Sequence, residues 1–204
     1  MKLLLPYVII FIIWLTYELR KSDRKHKHTL EEFWERESRA NSVRRKNIND
    51  LDYITIPLDS LPFFENNDID FQNLQKTIKA LANKRILNLS GKTNTDLKLE
   101  YGAANLSLLT EYDNNYSTLV NTLSRWGDWL MKNGYPTEAV TVLEFGIQCG
   151  TDVKNNYTLL AQYYADQGNT AGLEHLTAKA SALQSLNKDL ILKKLQSINN
   201  LSTL

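Results

Sequence analysis

The residues that could carry chemistry are few and scattered. Two of the three histidines stand in Lys25-His26-Lys27-His28. An i, i+2 pair between lysines makes a poor metal site, because the neighbouring cations oppose an incoming one. This reads as a solvated basic stretch, and His175, alone in a helical pattern, reads as a surface or boundary residue. Cys149 is the lone cysteine, which excludes an intramolecular disulfide framework and fits a reducing compartment. It lies near the end of an apolar helical pattern with no histidine beside it, the setting of a packed thiol rather than a nucleophile. Glu35/Glu37 and Glu100/Glu111 are acid pairs, but nothing in the sequence places either pair in a shared apolar pocket.

Gly91-Lys92-Thr93 has the ending of a phosphate-binding loop. The G-x-x-x-x-G-K-[ST] pattern fails there because Ile86 replaces its first glycine, so a turn with lysine in solvent is the reading. No serine elbow, zinc spacing or nucleotide fingerprint occurs elsewhere. The expectation is therefore a chain that is not an enzyme and takes no cofactor or metal. An enzyme acting on lipid or envelope substrates is the remotest alternative.

The elements around these residues are more informative. Hydrophobic residues make up 43% of the 204 and charged residues 23%, the balance of a folded chain. A net charge of +1 does not advertise nucleic-acid binding. The charge is unevenly placed, however: Arg20 to Lys46 holds ten basic and five acidic side chains. This excess follows an uncharged run, Leu3 to Tyr17, reading LLLPYVIIFIIWLTY. As a helix that run is about 22 Å long against a hydrocarbon core of about 30 Å. Trp14 and Tyr17 could sit in the interface, with Arg20 and Lys21 snorkelling outward. A cleaved signal wants a basic start and a small-x-small exit, but Lys2 stands alone and no small pair follows the run. Residues 1–19 thus read as an uncleaved transmembrane anchor. A cleaved signal or an interfacial helix is the alternative. Arg20, Lys21, Arg24, Lys25 and Lys27 follow it, so the N-terminus is expected outside and the bulk of the chain at the cytoplasmic face, the basic collar against anionic lipid headgroups.

Thr29 to Ala40 reads as a short helix within a juxtamembrane segment spanning 20–46. Thr29 could cap it, and Glu32 stands at the capping-box position. Phe33 and Trp34 are expected to dock on the rest of the fold, with a partner contact by Trp34 as the alternative. Residues 47–68 are rich in β-branched side chains but broken by Pro57 and Pro62. They read as an extended strap tucking Ile54, Ile56, Leu58, Leu61 and Phe63 into helical grooves. Asp70 to Lys84 has apolar residues three and four apart, an amphipathic helix. Thr93-Asn94-Thr95-Asp96 can start the next helix. A helical pattern then runs from Leu97 to Met131, with a break expected near Asp113-Asn114-Asn115. Asn88, Asn105 and Asn115 head sequons that the expected topology makes irrelevant.

The C-terminal half repeats itself. Leu123, Trp126, Gly127, Leu130 and Gly134 map, 34 positions on, to Tyr157, Leu160, Ala161, Tyr164 and Gly168. Bulky residues fall on bulky ones, small on small, and glycine on glycine. This pattern resembles the tetratricopeptide (TPR) repeat, a helix hairpin whose copies stack into a scaffold. The resemblance covers 120–186. It implies repeats at about 120–153 and 154–187, a capping helix at 188–200, and an all-α, TPR-like stack over 69–204.

The physics stands apart from the name. A small residue midway along the first helix lets the second approach closely. The glycines stop the first helix in a left-handed conformation, and Pro136 starts the second. Copy one carries Ala139 and Gly146 at the small positions of the second helix. Copy two carries Leu173 and Ala180, with Gly172 beside Leu173, which shifts close packing by a residue. The expected function is a membrane-anchored protein-interaction scaffold binding a protein or peptide, with self-assembly as the alternative. Trp129 and Tyr163 are further candidate partner contacts, with burial as their rival reading.

Overall fold

The computed structural model describes the backbone of residues 4–202 and the side chains there except 4–6, 8, 9, 13, 20, 22–28, 201 and 202. The described residues are all-helical: eight α-helices and one short 3-10 turn, with no strand. They divide into two compact units. One comprises the chain up to Asn47 together with Thr93–Leu106. The other comprises Ile48–Lys92 and the chain from Ser107 onward.

The first unit is built on α1 (Leu4–Ser42), one helix of 39 residues and about 58 Å. Neither the anchor nor the short helix expected from Thr29 exists as a separate element. No glycine or proline lies between Pro6 and Ser42, so nothing in the sequence interrupts the backbone ladder. No described helix is long and apolar enough to cross a membrane. The transmembrane helix expected at 1–19 is therefore not supported by the described residues. The uncharged run is 15 residues long, and the same helix then continues into charge. Residues 1–3 lie outside the described residues, as do the side chains of Arg20, Arg24, Lys25 and Lys27; Lys21 is described and exposed, and its ammonium lies 3.9 Å from the Glu18 carboxylate.

The end of α1 packs on α3 (Asn94–Tyr101). As the sequence suggests, Thr93 caps α3 in a capping box with Asp96. Lys98 and Thr95 of α3 both bond the Glu37 carboxylate, and Arg36 donates to Asp96 at 2.6 Å. Gly102 closes α3 at φ 88°, in the region that disfavours a side chain, and an added Cβ there would overlap the Arg44 carbonyl. This is the real break in the Leu97–Met131 pattern. Beyond a 3-10 turn (Ala103–Asn105), α4 (Leu106–Lys132) runs unbroken through Asp113-Asn114-Asn115. The buried Asn105 amide donates to the carbonyls of Lys46 and Tyr101, both at 2.8 Å, and its oxygen accepts from Arg45.

In the second unit the strap is extended without forming a strand. Ile56 and Leu61 are buried, with Ile54 and Phe63 half-buried on the same core, while Leu58 faces solvent, contrary to expectation. The strap lies over α2 (Ile69–Leu81), whose Gln75 takes both the N–H and the carbonyl of Phe64. The remaining helices are α5 (Pro136–Gln148), α6 (Lys154–Asp166), α7 (Thr170–Ser181) and α8 (Lys188–Ser202).

Two apolar clusters meet across α5. Ala139, Val142, Phe145 and Cys149 join α2, α4 and the strap, while Leu143 and Ile147 join α6, α7 and α8. Helix ends recur at the spacing seen in the sequence. Helices α4 and α6 end 34 residues apart, and α5 and α7 start 34 apart. Gly134 (φ 84°) and Gly168 (φ 63°) both take the left-handed turn, followed by matching bonds from Tyr135 N–H to the Leu130 carbonyl and from Asn169 N–H to the Tyr164 carbonyl. The close approaches, however, are not equivalent. Gly127 of α4 meets Leu143 of α5, whereas in the next pair Gly172 of α7 meets the Tyr164 ring of α6.

Three outcomes follow. Gly127→Ala should cost about 1–3 kcal/mol, read as a lower denaturant midpoint, because Leu143 is fully buried and cannot retreat. Gly102→Ala should be worse, since a backbone carbonyl must move; loss of protection across α3 in hydrogen exchange would register it. Hydrogen bonds from Lys98 and Thr95 hold the Glu37 carboxyl below its usual range, and bonds from Thr93 do the same for Asp96. Groups with lowered folded values stabilise the docked state above the ordinary carboxylate range and lose that contribution as pH falls through it. Protection of α3 should therefore drop below pH about 4 while α5 keeps its own.

Candidate interaction groove

Among the described residues, one cavity of about 510 Å³ lies in the second unit. Helix α4 supplies Asp113, Tyr116, Asn121 and their neighbours; Lys154 opens α6, and Asn187 and Leu190 come from the start of α8. A second cavity of about 370 Å³ shares Ser90 and Asp152 with it. Polar and apolar residues both line this wall.

A buried polar tie sets the wall in place. The Cys149–Val153 loop joins α5 to α6 and would have free carbonyls if left alone. Tyr116 of α4 donates its hydroxyl to the Gly150 carbonyl at 2.8 Å, and Tyr157 of α6 donates to the Thr151 carbonyl at 2.9 Å. Asn88 donates to the Tyr116 hydroxyl at 3.0 Å and to the Cys149 carbonyl at 3.3 Å. Burial, reinforced by the nearby Asp152 charge, raises the phenol of Tyr116 above its ordinary value and that of Tyr157 to about 12. Both are neutral donors at any physiological pH. Asp152 at the end of the loop accepts from Asn187 at 3.2 Å, which links the starts of α6 and α8. Asp113 accepts the Leu89 N–H at 3.3 Å, and this fixes the near rim.

The sequence-derived residues fall into place around this site. Leu123, Trp126, Gly127, Leu130, Tyr157, Leu160, Ala161 and Tyr164 are all buried as packing residues. Tyr157 does a second job, since its hydroxyl holds the groove loop. Trp129 is no free contact: its indole N–H donates to Asp68 at 2.8 Å and its ring lies 4.1 Å from that of Phe71. The same Asp68 caps α2. Tyr163 is half-buried against the α6–α8 cluster and meets Tyr164 edge-on. Only Trp34 is openly exposed, with Phe33 beside it, so neither docks as expected.

Cys149 is a buried free thiol whose pKa burial pushes up to about 12. The described residues hold no cluster of three or more His, Cys, Asp or Glu side chains placed for a metal ion. The glutamate pairs Glu35/Glu37 and Glu100/Glu111 are not drawn into this groove, and Gly91 turns the chain in a loop whose Thr93 serves as a helix cap. All three sequon asparagines have structural roles: Asn88 and Asn105 as above, and Asn115 by donating to the Arg85 carbonyl at 3.0 Å. Asp113, Asn121, Asp152 and Asn187 escaped sequence reasoning because they are polar residues of no motif, brought together from α4 and from the loops that precede α6 and α8.

No protein-family model, curated protein or solved structure matches the chain.

Tyr116→Phe should keep the ring packing but leave the Gly150 carbonyl and the Asn88 amide short of a partner. A loss of about 1–3 kcal/mol in denaturant unfolding is the expected result.

Proposed function

We propose that this chain is a membrane-tethered protein-interaction module, its first helix bedded in lipid and its α4–α8 helices holding a peptide or protein segment. The observation that carries the reading is the first half of α1. Tyr7, Ile10, Phe11, Ile12, Trp14, Leu15, Tyr17 and Leu19 all face outward, an apolar surface too continuous to leave in water. The one aliphatic hydroxyl in this run, on Thr16, donates to the Ile12 carbonyl at 2.7 Å, the way polar side chains are accommodated in hydrocarbon. The basic residues from Arg20 to Lys27 then lie where anionic headgroups would attract them, and they favour a cytoplasmic bulk. The run is shorter than a full hydrocarbon core, so Trp14 and Tyr17 serve as its interfacial boundary.

The binding half of the reading rests on the groove and on the 34-residue recurrence, which supports a tetratricopeptide-like use of paired helices. Lining residues Asn121 and Asn187 offer amides to a polypeptide backbone, while Val120 and Leu190 offer apolar contact.

Two measurements test this. The full chain should stay in the membrane fraction and yield no soluble fragment to an external protease in intact cells; digestion of residues 30–204 there would refute the orientation. Proximity labelling from the tethered chain should recover a discrete set of proteins, and the Asn121→Ala/Leu190→Ala double variant should lose most of that set at unchanged abundance. An identical labelled set from the variant would exclude this groove as the site.

A further inference from the structure

The first half of α1 has a fixed length, and that length limits the lipid that can hold it. The uncharged run is α-helical from Leu4 to Tyr17. At about 1.5 Å per residue it measures about 21 Å, less than half of what the same residues would reach if extended. Charge begins at once beyond it: Glu18 pairs with Lys21 at 3.9 Å, and both side chains are exposed. Tyr7 and Tyr17 give a second measure. Both are exposed, and they stand about 15 Å apart along the axis. Tyrosines gather at the two water–lipid boundaries, where the phenol hydroxyl finds a partner, and outward reach of the side chains adds only a few ångströms at each end.

The run suits an upright helix rather than one lying flat, because a helix in the interface plane needs a polar face. Ile10, Phe11, Ile12, Trp14, Leu15 and Tyr17 are all exposed, and their helical spacing spreads them round the axis. The widest arc that they leave is about 140°. Thr16 falls within that arc, and its hydroxyl is already bonded to the Ile12 carbonyl. An ordinary hydrocarbon core of about 30 Å exceeds the run by about 9 Å. Tilting would shorten the span further, and α1 continues unbroken to Ser42, so no unwound turn lengthens it. The difference must be met by thinning the bilayer or by drawing Glu18 and Lys21 inward, and each ångström adds to the cost. We infer that the lipid partner of α1 is a thin bilayer built of phospholipids with short acyl chains. The length of the run sorts the chain toward such membranes and away from thick ones.

This rests on the lipid-bedded reading of α1, and the experiment separates the two. The full chain is floated with phosphatidylcholine vesicles whose monounsaturated acyl chains have fourteen, eighteen or twenty-two carbons, with the same share of phosphatidylserine throughout. Partition into the shortest-chained vesicles should exceed that into the longest-chained by about tenfold or more. Bromine on the acyl chains should quench Trp14, read as the difference from a Trp14→Phe chain. Seven leucines inserted between Ile13 and Trp14 lengthen the run by about 10 Å and add nearly two whole turns, so the side that meets α3 keeps its direction. This lengthened chain should prefer the longer-chained vesicles, which separates length from mere ease of entry into a thin bilayer. Thr16→Leu, which adds apolarity without length, should raise partition into all three alike. Flotation with none of the vesicles, or an unquenched Trp14, would sink the lipid-bedded reading and this inference with it. Equal partition into all three, or a lengthened chain that keeps the native preference, would overturn the inference alone.

Discussion

Helix α5 is the member on which the larger unit depends, because it must bury two faces at once. Ala139, Val142, Phe145 and Cys149 face the strap, α2 and α4, while Leu143 and Ile147 face α6, α7 and α8. An amphipathic surface helix has one apolar stripe, and a helix apolar on several sides must be enclosed. Enclosure explains why small residues gather where it is crossed. Gly127 gives Leu143 its space, and Gly146 leaves room for the fully buried Asn156 amide. Neither contact could hold a methyl group without displacement of a neighbour.

The groove is a consequence of that enclosure. Once α5 is wedged between two clusters, the loop that follows it is carried inward and its carbonyls need donors. Three neutral side chains, Asn88, Tyr116 and Tyr157, provide them. Burial keeps both phenols protonated, so the loop is held by hydrogen bonds that do not depend on pH. Those bonds leave Asp152 at the surface beside Asn187, and the wall of the cavity follows. Stability and the shape of the cavity thus share the same atoms.

The smaller unit obeys a different constraint. Among the described residues, its long helix packs on α3 over its last turns, where charged pairs fasten it and, just past its end, the Arg44 backbone lies close to Gly102. The exposed Arg36–Asp96 pair contributes little by itself. Close backbone approach at Gly102 and the saturated Asn105 amide do more, because a buried unpaired group would be costly.

Local chemistry was readable in the sequence wherever the cause was local. Thr93 and Asp96 announce a cap, Pro136 a helix start, Gly134 and Gly168 left-handed stops, and each of these depends on residues within a few positions. The bulky and small residues of the recurring pattern in α4 and α6 are buried. Failures came where polar residues were taken for breaks: Asp113-Asn114-Asn115 stays helical because α4 gains more from burying Tyr116 and Leu119 than it loses in propensity. Thr29 likewise does not start a helix already running. Trp129 looked available until Asp68, 61 residues away in sequence, claimed its indole. What tertiary structure alone decided was which polar side chains from α4 and from the loops before α6 and α8 would face one cavity, since sequence spacing carries no information about helices that meet only after folding.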